Sequence, residues 1–367
     1  ILKVIVVLGC LYLFICSLVL MAESLNVLAG RVAVDVFTSN VFLSNPITGL
    51  IIGILVTVII QSSSTSTTIV IAMVASNVIS VQKGIPIVMG ANIGTSVTNT
   101  AVALTLSAKK EEFRKAFSGA TVHDCFNILS VVVLLPLEIV SKYLESLSGA
   151  VIRSLGPIEG SGAPRLLRTL VQPVVDNLIH VNLTTGWTDG AVGGVLFFMS
   201  AVILISCLLI MVKVLTSSLK GSFKKLIRKA INTNLPKPFG WLSITMLIQS
   251  SSVVTSTLTP LVGLGLVKLK RMYAVTVGAN MGTTLTAVLA ALATGNSNAL
   301  QLAFCHFFFN INGFLLWYPL PFMRRIPMRA AKGLGNVTAK YRWFSVFYVI
   351  CVFFIIPGII LGLSFAP

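Results

Sequence analysis

The sequence QSSST at Gln61–Thr65 is followed by GANIGT at Gly90–Thr95, and the pair recurs 188 residues later as QSSSV at Gln249–Val253 and GANMGT at Gly278–Thr283. The two motifs are 29 residues apart in both copies. Each copy then closes with a His-x-x-x-Asn pattern, at His123–Asn127 and His306–Asn310. Duplicated polar, helix-breaking residues inside apolar sequence are typical of secondary transporters whose binding site lies between two repeats. The pattern therefore predicts that class of membrane protein.

The composition also indicates a membrane setting. The chain is 56% hydrophobic and 10% charged, with a mean hydropathy of +0.96, whereas soluble domains carry about 25% charged residues. The formal charge of +17 could suggest a nucleic-acid partner. We reject that reading because the Lys and Arg residues form short clusters between apolar segments, as they do at a cytoplasmic membrane face. The six cysteines lie in apolar segments without metal-binding spacing and are interpreted as buried thiols.

The fold class expected from these patterns is an all-α polytopic membrane protein with two inverted-topology repeats. Each repeat should contain a re-entrant helical hairpin followed by broken transmembrane helices. In the first repeat, the apolar run 46–80 is interrupted at Gln61–Thr68, which predicts two half-helices that enter and leave on the same side. The predicted organisation is a transmembrane helix at 1–22, repeat 1 at 45–145, an extracellular loop at 146–190, a transmembrane helix at 191–214, repeat 2 at 238–320, a basic cytoplasmic loop at 321–342 and a transmembrane helix at 343–365.

Charge predicts the orientation of the two halves. Basic clusters at 109–115, 220–229, 268–271 and 324–342 are expected on the cytoplasmic side. The long 146–190 connection contains a glycosylation sequon at Asn182, which favours an extracellular loop. The sequon at Asn336 lies among basic residues, so we expect it to be cytoplasmic and unused. With these anchors the two repeats have opposite orientation.

The hydroxyl-rich tips are the candidate anion site. The N-terminus of a half-helix offers free N–H groups and a positive dipole end, and the hydroxyl and amide groups add further donors. Small residues also serve helix packing, but a duplicated run of this length favours binding. The predicted anion-binding residues are Gln61, Ser62, Ser63, Ser64, Thr65, Gln249, Ser250, Ser251 and Ser252.

Two further features predict cation sites. The GANxGT motifs supply oxygen ligands of the kind that hard cations prefer, from Asn92, Thr95, Asn280 and Thr283. Asp124 is an acid in an apolar segment, and such residues are costly and usually functional. The second repeat has Phe307 in its place, so the acid predicts a single additional cation site. The neighbouring His123 and its counterpart His306 are interpreted as hydrogen-bonded core histidines.

The segments QSSSTSTTIV, GANIGTSVTNT, FSGATVHDCFN, INTNLPKPF, QSSSVVTSTLTPL, CHFFFNINGFLLWYP and AKGLGNVTAKYRWF resemble those of the type II sodium–phosphate cotransporters. The resemblance covers nearly the whole chain. It implies Na⁺-driven import of inorganic phosphate, mainly the divalent ion, across the plasma membrane, and specifically the apical membrane of epithelia. It also implies that phosphate binds near the two QSSS tips, that Na⁺ is the coupling ion with no other cofactor, and that the protomer is the functional unit in the lipid bilayer.

The resemblance also implies roles for individual residues. In that family the Asp of the VHD stretch marks electrogenic members, so Asp124 implies electrogenic transport. A further sodium site would use oxygen atoms near Thr100, Asn127, Ser250 and Ser251. This chain departs from the family at Leu106 and Lys109, which stand where the relatives have Gln and Asp.

Other functions are weighed against this reading. An intramembrane serine hydrolase would need a QSSS serine with His123 and Asp124, but adjacent residues on a helix point about 100° apart and cannot readily form the relay. The chain also lacks a GxSxG elbow. A transporter of another oxyanion, or an anion channel with broken helices, remains an alternative, because residue types alone do not separate phosphate from sulfate. A purely structural membrane protein would not need buried polar tips.

Overall fold

The computed structural model describes residues 2–28, 45–156, 171–178, 190–207 and 251–364, together with the single positions 188, 210 and 214. The helices of the first half are α1 Leu2–Leu28, α2 Pro46–Ile60, α3 Ser63–Ala75, α4 Val81–Gly94, α5 Val97–Leu104, α6 Lys110–Ser141 and α7 Tyr143–Leu155. A short helix at 171–178 follows. The second half contains α8 Gly190–Cys207, α9 Ser251–Gly263, α10 Leu269–Thr294, α11 Ser297–Trp317, α12 Pro321–Lys340 and α13 Phe344–Leu363, in which Cys351–Ile355 is a π-helical turn.

The protein is a polytopic membrane protein that is all-helical over the described ranges. Six described helical segments are long and apolar enough to cross a hydrocarbon core of about 30 Å. They are Val81–Leu104, Lys110–Ser141, Gly190–Cys207, Leu269–Thr294, Ser297–Trp317 and Phe344–Leu363. The predicted glycosylation residue Asn182 and the basic cluster 220–229 lie outside the described residues.

The break in the first hydroxyl-rich run is narrower than the sequence predicted. We expected the chain to be interrupted across Gln61–Thr68, but only Gln61 and Ser62 separate α2 from α3. Gln61 ends α2 in the left-handed region, with φ of 59°, and the Ser62 hydroxyl caps α3 by accepting from the Thr65 N–H at 3.2 Å. A serine cap restarts a helix at once, so the remaining hydroxyls lie on the first turns of α3.

The GANxGT motifs also differ from the prediction of broken helices in both repeats. The first motif ends α4 at Gly94, and Thr95 and Ser96 separate it from α5. The second motif lies inside α10, which continues without a break. The second copy has Leu285 and Ala287 where the first has Val97 and Asn99. Leucine and alanine are the better helix formers, which accounts for the continuous helix.

The segment 321–342, predicted as a basic cytoplasmic loop, is instead mainly the helix α12. A stripe of small buried residues runs along it, including Ala331, Gly335 and Thr338. This stripe packs against α6 so closely that a Cβ at Gly335 would lie 2.0 Å from the Ser118 hydroxyl. The prediction of a loop rested on the number of basic residues and overlooked the small residues that form one buried face of a surface helix.

The helices α3 and α9, which begin within the two hydroxyl-rich runs, each pack against the opposite half of the protein. Besides the next helix of its own half, α3 packs against α10 and α11, and α9 packs against α5 and α6. Since α3 and α9 occupy equivalent positions in the duplicated sequence, the two contacts are exchanged between the halves. The centre of the molecule is therefore built jointly from both repeats.

A close approach of α2 to α4 holds the first half together. Gly53 on α2 faces the Ile87 carbonyl, and Gly90 on α4 faces the Leu50 carbonyl. A Cβ at either glycine would lie 2.0 Å from that carbonyl oxygen, so only glycine allows this backbone contact.

Candidate substrate and sodium site

The first tip is organised by Gln61 and Ser62. The side-chain oxygen of Gln61 accepts a hydrogen bond of 2.7 Å from the Thr98 hydroxyl on α5. The side-chain amide of Gln61 donates to the Val58 backbone carbonyl. The Ser62 hydroxyl oxygen accepts from both the backbone N–H and the hydroxyl of Thr65. Gln61 therefore ties the tip to α5, while Ser62 begins α3.

The start of α3 has the features of an anion site. Ser63, Ser64 and Thr65 are buried in its first turn, which contains no acidic residue. The first N–H groups of a helix lack intrahelical acceptors and carry a partial positive charge. An anion there would meet backbone donors and hydroxyl donors together.

The second tip is described only from its third polar residue onward. Gln249 and Ser250 lie outside the described residues, whereas Ser251 and Ser252 begin α9. One turn further, the Thr255 hydroxyl donates to the Asn99 side-chain oxygen on α5 at 2.9 Å. Gln61 and Thr255 thus bond to consecutive residues, Thr98 and Asn99. The first tip and the helix that carries the second tip converge on one turn of α5.

In each half, the asparagine of the His-x-x-x-Asn pattern donates a hydrogen bond to the backbone of the GAN motif of the same half. The Asn127 amide donates to the Asn92 backbone carbonyl at 2.7 Å. In the second half the Asn310 amide donates to the Asn280 backbone carbonyl at 3.4 Å. Asn127 and Asn310 close the two His-x-x-x-Asn patterns, so these patterns anchor the last helix of each repeat to its GAN motif.

The histidines of the same patterns bond across the halves. His123 Nε2 donates to the Asn280 side-chain oxygen at 2.7 Å, and His306 Nε2 donates to the Asn92 side-chain oxygen at 3.3 Å. All four side chains are buried. Because an amide oxygen only accepts, each imidazole carries its proton on Nε2 and leaves Nδ1 as an acceptor. Each histidine therefore bridges the two repeats. The interpretation as a satisfied core histidine is confirmed for His123, whose Nδ1 also has a partner, whereas His306 is bonded only through Nε2.

The symmetry breaks at Asn99. Its amide lies 3.4 Å from His123 Nδ1, and its oxygen accepts from Thr255. The equivalent position in the second half is Ala287. The atoms equivalent to those two partners, His306 Nδ1 and the Thr67 hydroxyl, are both buried with no hydrogen-bond partner in the described part of the protein. His123 and Thr255, which contact Asn99, therefore have hydrogen bonds that their equivalents His306 and Thr67 lack.

Replacing Ala287 with Asn should restore the missing bridge. The new amide would donate to His306 Nδ1 and accept from the Thr67 hydroxyl, so the unfolding temperature of the purified protein should stay the same or rise. The matched control is Ala291→Asn, one turn along α10, where the residue is fully buried. An amide there without partners should cost about 1–3 kcal/mol. Equal destabilisation by both substitutions, measured by thermal unfolding, would contradict the equivalence of the two half-sites.

Asp124 lies apart from this network. It is fully buried in the middle of α6, and one carboxylate oxygen accepts from the Tyr348 hydroxyl on α13 at 2.8 Å. The other oxygen has no hydrogen-bond partner among the described residues, and the Ser96 side chain also lies close enough to interact with the carboxyl group. No lysine or arginine among the described residues forms an ion pair with Asp124. A buried carboxylate without a cation costs several kcal/mol, which makes Asp124 a candidate ligand of a coupling cation.

The other predicted sodium ligands fall into two groups. Asn92, Asn127 and Asn280 belong to one network, since the Asn280 amide also donates to the Asn127 side-chain oxygen at 2.6 Å. The hydroxyls of Thr95, Thr100 and Thr283 instead bond carbonyls of the preceding turn. Ser251 begins α9, and Ser250 is not described. The structure thus brings three of the predicted ligands together and places Asp124 in a separate position.

Thr98, Asn99, Thr255 and Tyr348 belong to this region but were not among the predicted site residues. Asn99 carries a readable signal, because the duplicated sequence has Ala287 in its place. Tyr348 carries none, since it lies 224 residues from Asp124 and outside both repeats.

The geometry also agrees with the rejection of a hydrolase. His123 bonds to Asn280 while Asp124 bonds to Tyr348, so the two side chains form no relay.

Comparison with known sequences identifies the family. The sequence model described as Na⁺/Pi-cotransporter matches residues 13–153 and 203–335, which include both predicted repeats. The chain belongs to the Na⁺/Pi-cotransporter family. It is 44% identical to sodium-dependent phosphate transport protein 2A of Rattus norvegicus, over 100% of this chain and 68% of the relative. It is 42% identical to sodium-dependent phosphate transport protein 2B of Homo sapiens, over 99% of this chain and 65% of the relative.

The similarity to other members of the Na⁺/Pi-cotransporter family extends over nearly the whole of this chain. A 2B protein of Pongo abelii is 43% identical over 99% of this chain and 66% of the relative. The chain spans about two thirds of the length of these curated relatives. All three carry names of transport proteins and none is named as an enzyme, in agreement with the prediction. No solved structure matches the chain.

Proposed function

We propose that the protein is a secondary transporter that couples uptake of inorganic phosphate to entry of Na⁺. The observation that carries this proposal is the similarity, along the whole chain, to proteins named sodium-dependent phosphate transport proteins. The convergence of the first tip and of α9 on α5 supports it, because a substrate shared by two repeats has to bind where elements of both meet.

Phosphate is proposed to bind between the two tips. On the first tip, the ligands would be Gln61, Ser62, Ser63, Ser64 and Thr65 at the start of α3. On the second they would be Gln249, Ser250, Ser251 and Ser252 at the start of α9. The divalent ion is the expected substrate. A doubly charged anion is too costly to bring into a low-dielectric site alone, so sodium has to bind with it.

The proposed order of binding follows from the charges. Sodium binds first near Asp124 and neutralises the buried carboxylate. Divalent phosphate then enters between the tips, and a last sodium closes the site. Candidate ligands for the further sodium ions are Asn92, Thr95, Thr100, Asn127, Ser250, Ser251, Asn280 and Thr283. The repeats then change their relative position to open the site to the other side.

The architecture proposed for this cycle is a pair of inverted-topology repeats with re-entrant hairpins. The exchanged packing of α3 and α9 and the crossed histidine bonds support a pseudo-twofold arrangement. The basic clusters support a cytoplasmic face at the starts of α6 and α10. We further propose apical plasma-membrane localisation, glycosylation at Asn182 and transport by the single protomer.

The proposal is tested by measuring voltage-clamped current and radiolabelled phosphate uptake in the same cells, with sodium present or replaced by choline. Sodium-dependent uptake with about one inward charge per phosphate is the expected result. Sodium-dependent uptake without current would contradict electrogenic coupling alone. If phosphate is not taken up but sulfate or arsenate is, the substrate assignment is wrong.

The contact between Gln61 and Thr98 gives a prediction for the substrate site. Thr98→Val keeps the side-chain shape but removes the hydrogen bond that ties the tip to α5. We expect a phosphate KM about tenfold higher, since a lost hydrogen bond of about 1–1.5 kcal/mol corresponds to that factor. The control is Thr105→Val, because the Thr105 hydroxyl bonds only its own turn, at the Val102 carbonyl. Equal KM values in both variants would show that the tip does not depend on this contact.

A further inference from the structure

A cavity of about 580 Å³ lies away from the candidate transport site. It is formed at the beginning of α6, between the α9–α10 turn and α12. Five cationic side chains line it: Arg114, Lys115, Lys268, Lys270 and Lys332. Most of the remaining wall is apolar. The cavity opens at the first turns of α6 and α10, two of the candidate membrane spans, so it lies at the level of a membrane surface.

The positive charge of this cavity is hardly compensated by the protein. Arg114 pairs with Glu111 at 2.8 Å. Within the described ranges, Lys115, Lys268, Lys270 and Lys332 have no ion-pair partner. The Lys115 ammonium lies over the turn at Gly265, 3.5 Å from where a Cβ would be. Glu111 is the acid that offsets this charge, through Arg114 and, more weakly, Lys115. The remaining excess of positive charge raises the local potential, and a bound anion would lower that cost.

The internal repeat gives independent support for an anion. Asn77 and Gly265 are equivalent turn residues, and both have positive φ, 58° and 76°. The third residue after each turn residue is the N-cap position of the next helix. In the first half the Ser80 hydroxyl caps α4 by accepting from the Lys83 N–H. In the second half Lys268 takes that place, and α10 has neither a side-chain cap nor an acid in its first turn.

The exchange of Ser80 for Lys268 changes the chemistry of the helix end. A serine oxygen that satisfied the first N–H groups is replaced by a cation that cannot accept from them. The N–H groups, the positive helix end and the lysines all favour an anionic ligand at the same point. An anionic ligand bound here would accept hydrogen bonds from the first N–H groups of α10, in the place of a capping side chain.

We propose that this cavity binds the headgroup of a phosphoinositide, a membrane lipid with several phosphate monoester groups. Its volume falls in the range of small-molecule sites, about 300–1,000 Å³, and exceeds what one orthophosphate ion needs. The phosphates would pair with the lysines, and the ring and glycerol would lie on the apolar wall. Basic cavities between membrane helices at the cytoplasmic side suit such headgroups, and the proposed topology places this cavity there.

The site would also link the two repeats. Arg114 and Lys115 belong to α6 of the first repeat, whereas Lys268 and Lys270 precede and begin α10 of the second. A ligand that bridges both helices binds best in one relative arrangement of the repeats and shifts the population toward it. The headgroup would therefore stabilise the protein against heat and alter the rate of transport.

The test uses the purified full chain with three probes: short-chain phosphatidylinositol 4,5-bisphosphate, soluble inositol 1,4,5-trisphosphate and inorganic phosphate. We expect both inositol compounds to raise the unfolding temperature in a saturable way. Lys268→Gln with Lys270→Gln should weaken their affinity at least tenfold. The control, Arg325→Gln with Arg329→Gln, removes the same charge from the exposed side of α12, outside the cavity, and should change affinity less than twofold.

Three outcomes would overturn the proposal. One is an equal loss of affinity in the cavity and control variants, which would indicate a general charge effect. Another is saturable binding of inorganic phosphate alone that depends on Lys268 and Lys270, which would assign the cavity to free phosphate. The third is no binding by any probe. Lys332→Gln, a single exposed substitution on α12, should reproduce the loss of affinity if the double variant does not fold.

Discussion

Replacing Asp124 with glycine is expected to abolish the net current of phosphate uptake while sparing part of the uptake itself. The substitution removes the buried carboxylate that we propose as a sodium ligand. Each cycle would then move one positive charge fewer, so the charge per phosphate should fall from about one to about zero. The measurement is simultaneous current and radiolabelled uptake, with the amount of protein at the cell surface determined in parallel.

Two further variants separate charge from packing at this position. Asp124→Asn keeps the side-chain volume but removes the charge, and it should lose the current as the glycine variant does. Tyr348→Phe keeps the ring and the carboxylate but removes the 2.8 Å hydrogen bond. It should therefore retain current, with a changed sodium dependence. If Asp124→Gly keeps full current per phosphate moved, Asp124 is not the residue that makes transport electrogenic.

The geometry around Asp124 explains why its effect should be confined to one ion. Asp124 and His123 are neighbours in sequence, yet His123 bonds to Asn280 and Asp124 bonds to Tyr348. The asparagine–histidine network that joins the repeats therefore does not depend on the carboxylate. Glycine at position 124 should leave that network intact, although glycine costs about 1 kcal/mol in a helix interior. This separation is the physical basis for expecting residual electroneutral uptake.

The sequence predicted the parts of the site that are repeated. The break at Gln61, the burial of the following hydroxyls and the pairing of two halves all follow from duplicated polar residues in apolar sequence. The His-x-x-x-Asn patterns marked residues that do lie in one network. The duplication and the hydropathy were sufficient for these features, because each can be inferred without knowing which individual residues are in contact.

The rest depends on contacts between distant segments. His123 and Asn280 are 157 residues apart, and Tyr348 lies on a helix outside the repeats. No local pattern indicates such pairs. Helix α12 was missed for a different reason. Its basic residues resemble those of a cytoplasmic loop, while the small residues that pack it on α6 become visible only when their shared face is known.

The glycines of the α2–α4 contact show how a motif residue can act through packing alone. Gly90 opens the first GAN motif, and the adjacent residues Ala91 and Asn92 are buried. Its partner carbonyl, from Leu50, lies on the half-helix that ends at Gln61. The spacing of α2 and α4 therefore sets the position of the first tip relative to Asn92. A change that separates these helices should disturb both folding and the site.

Gly90→Ala is accordingly expected to destabilise the protein severely. The added Cβ would lie 2.0 Å from the Leu50 carbonyl oxygen and 3.0 Å from the Ile54 nitrogen, so the backbones have to move apart. Overpacking costs typically 1–3 kcal/mol and occasionally more, and a contact with rigid backbone belongs at the upper end, about 3 kcal/mol. The helix propensity gained by alanine is only about 1 kcal/mol. The measurements are the yield of monodisperse protein and its unfolding temperature.

Gly9→Ala on α1 is the matched control, because nothing lies within 4 Å of its Cβ position, and it should behave like the wild type. A Gly90→Ala protein as stable as this control would show that α2 and α4 do not pack in this close arrangement.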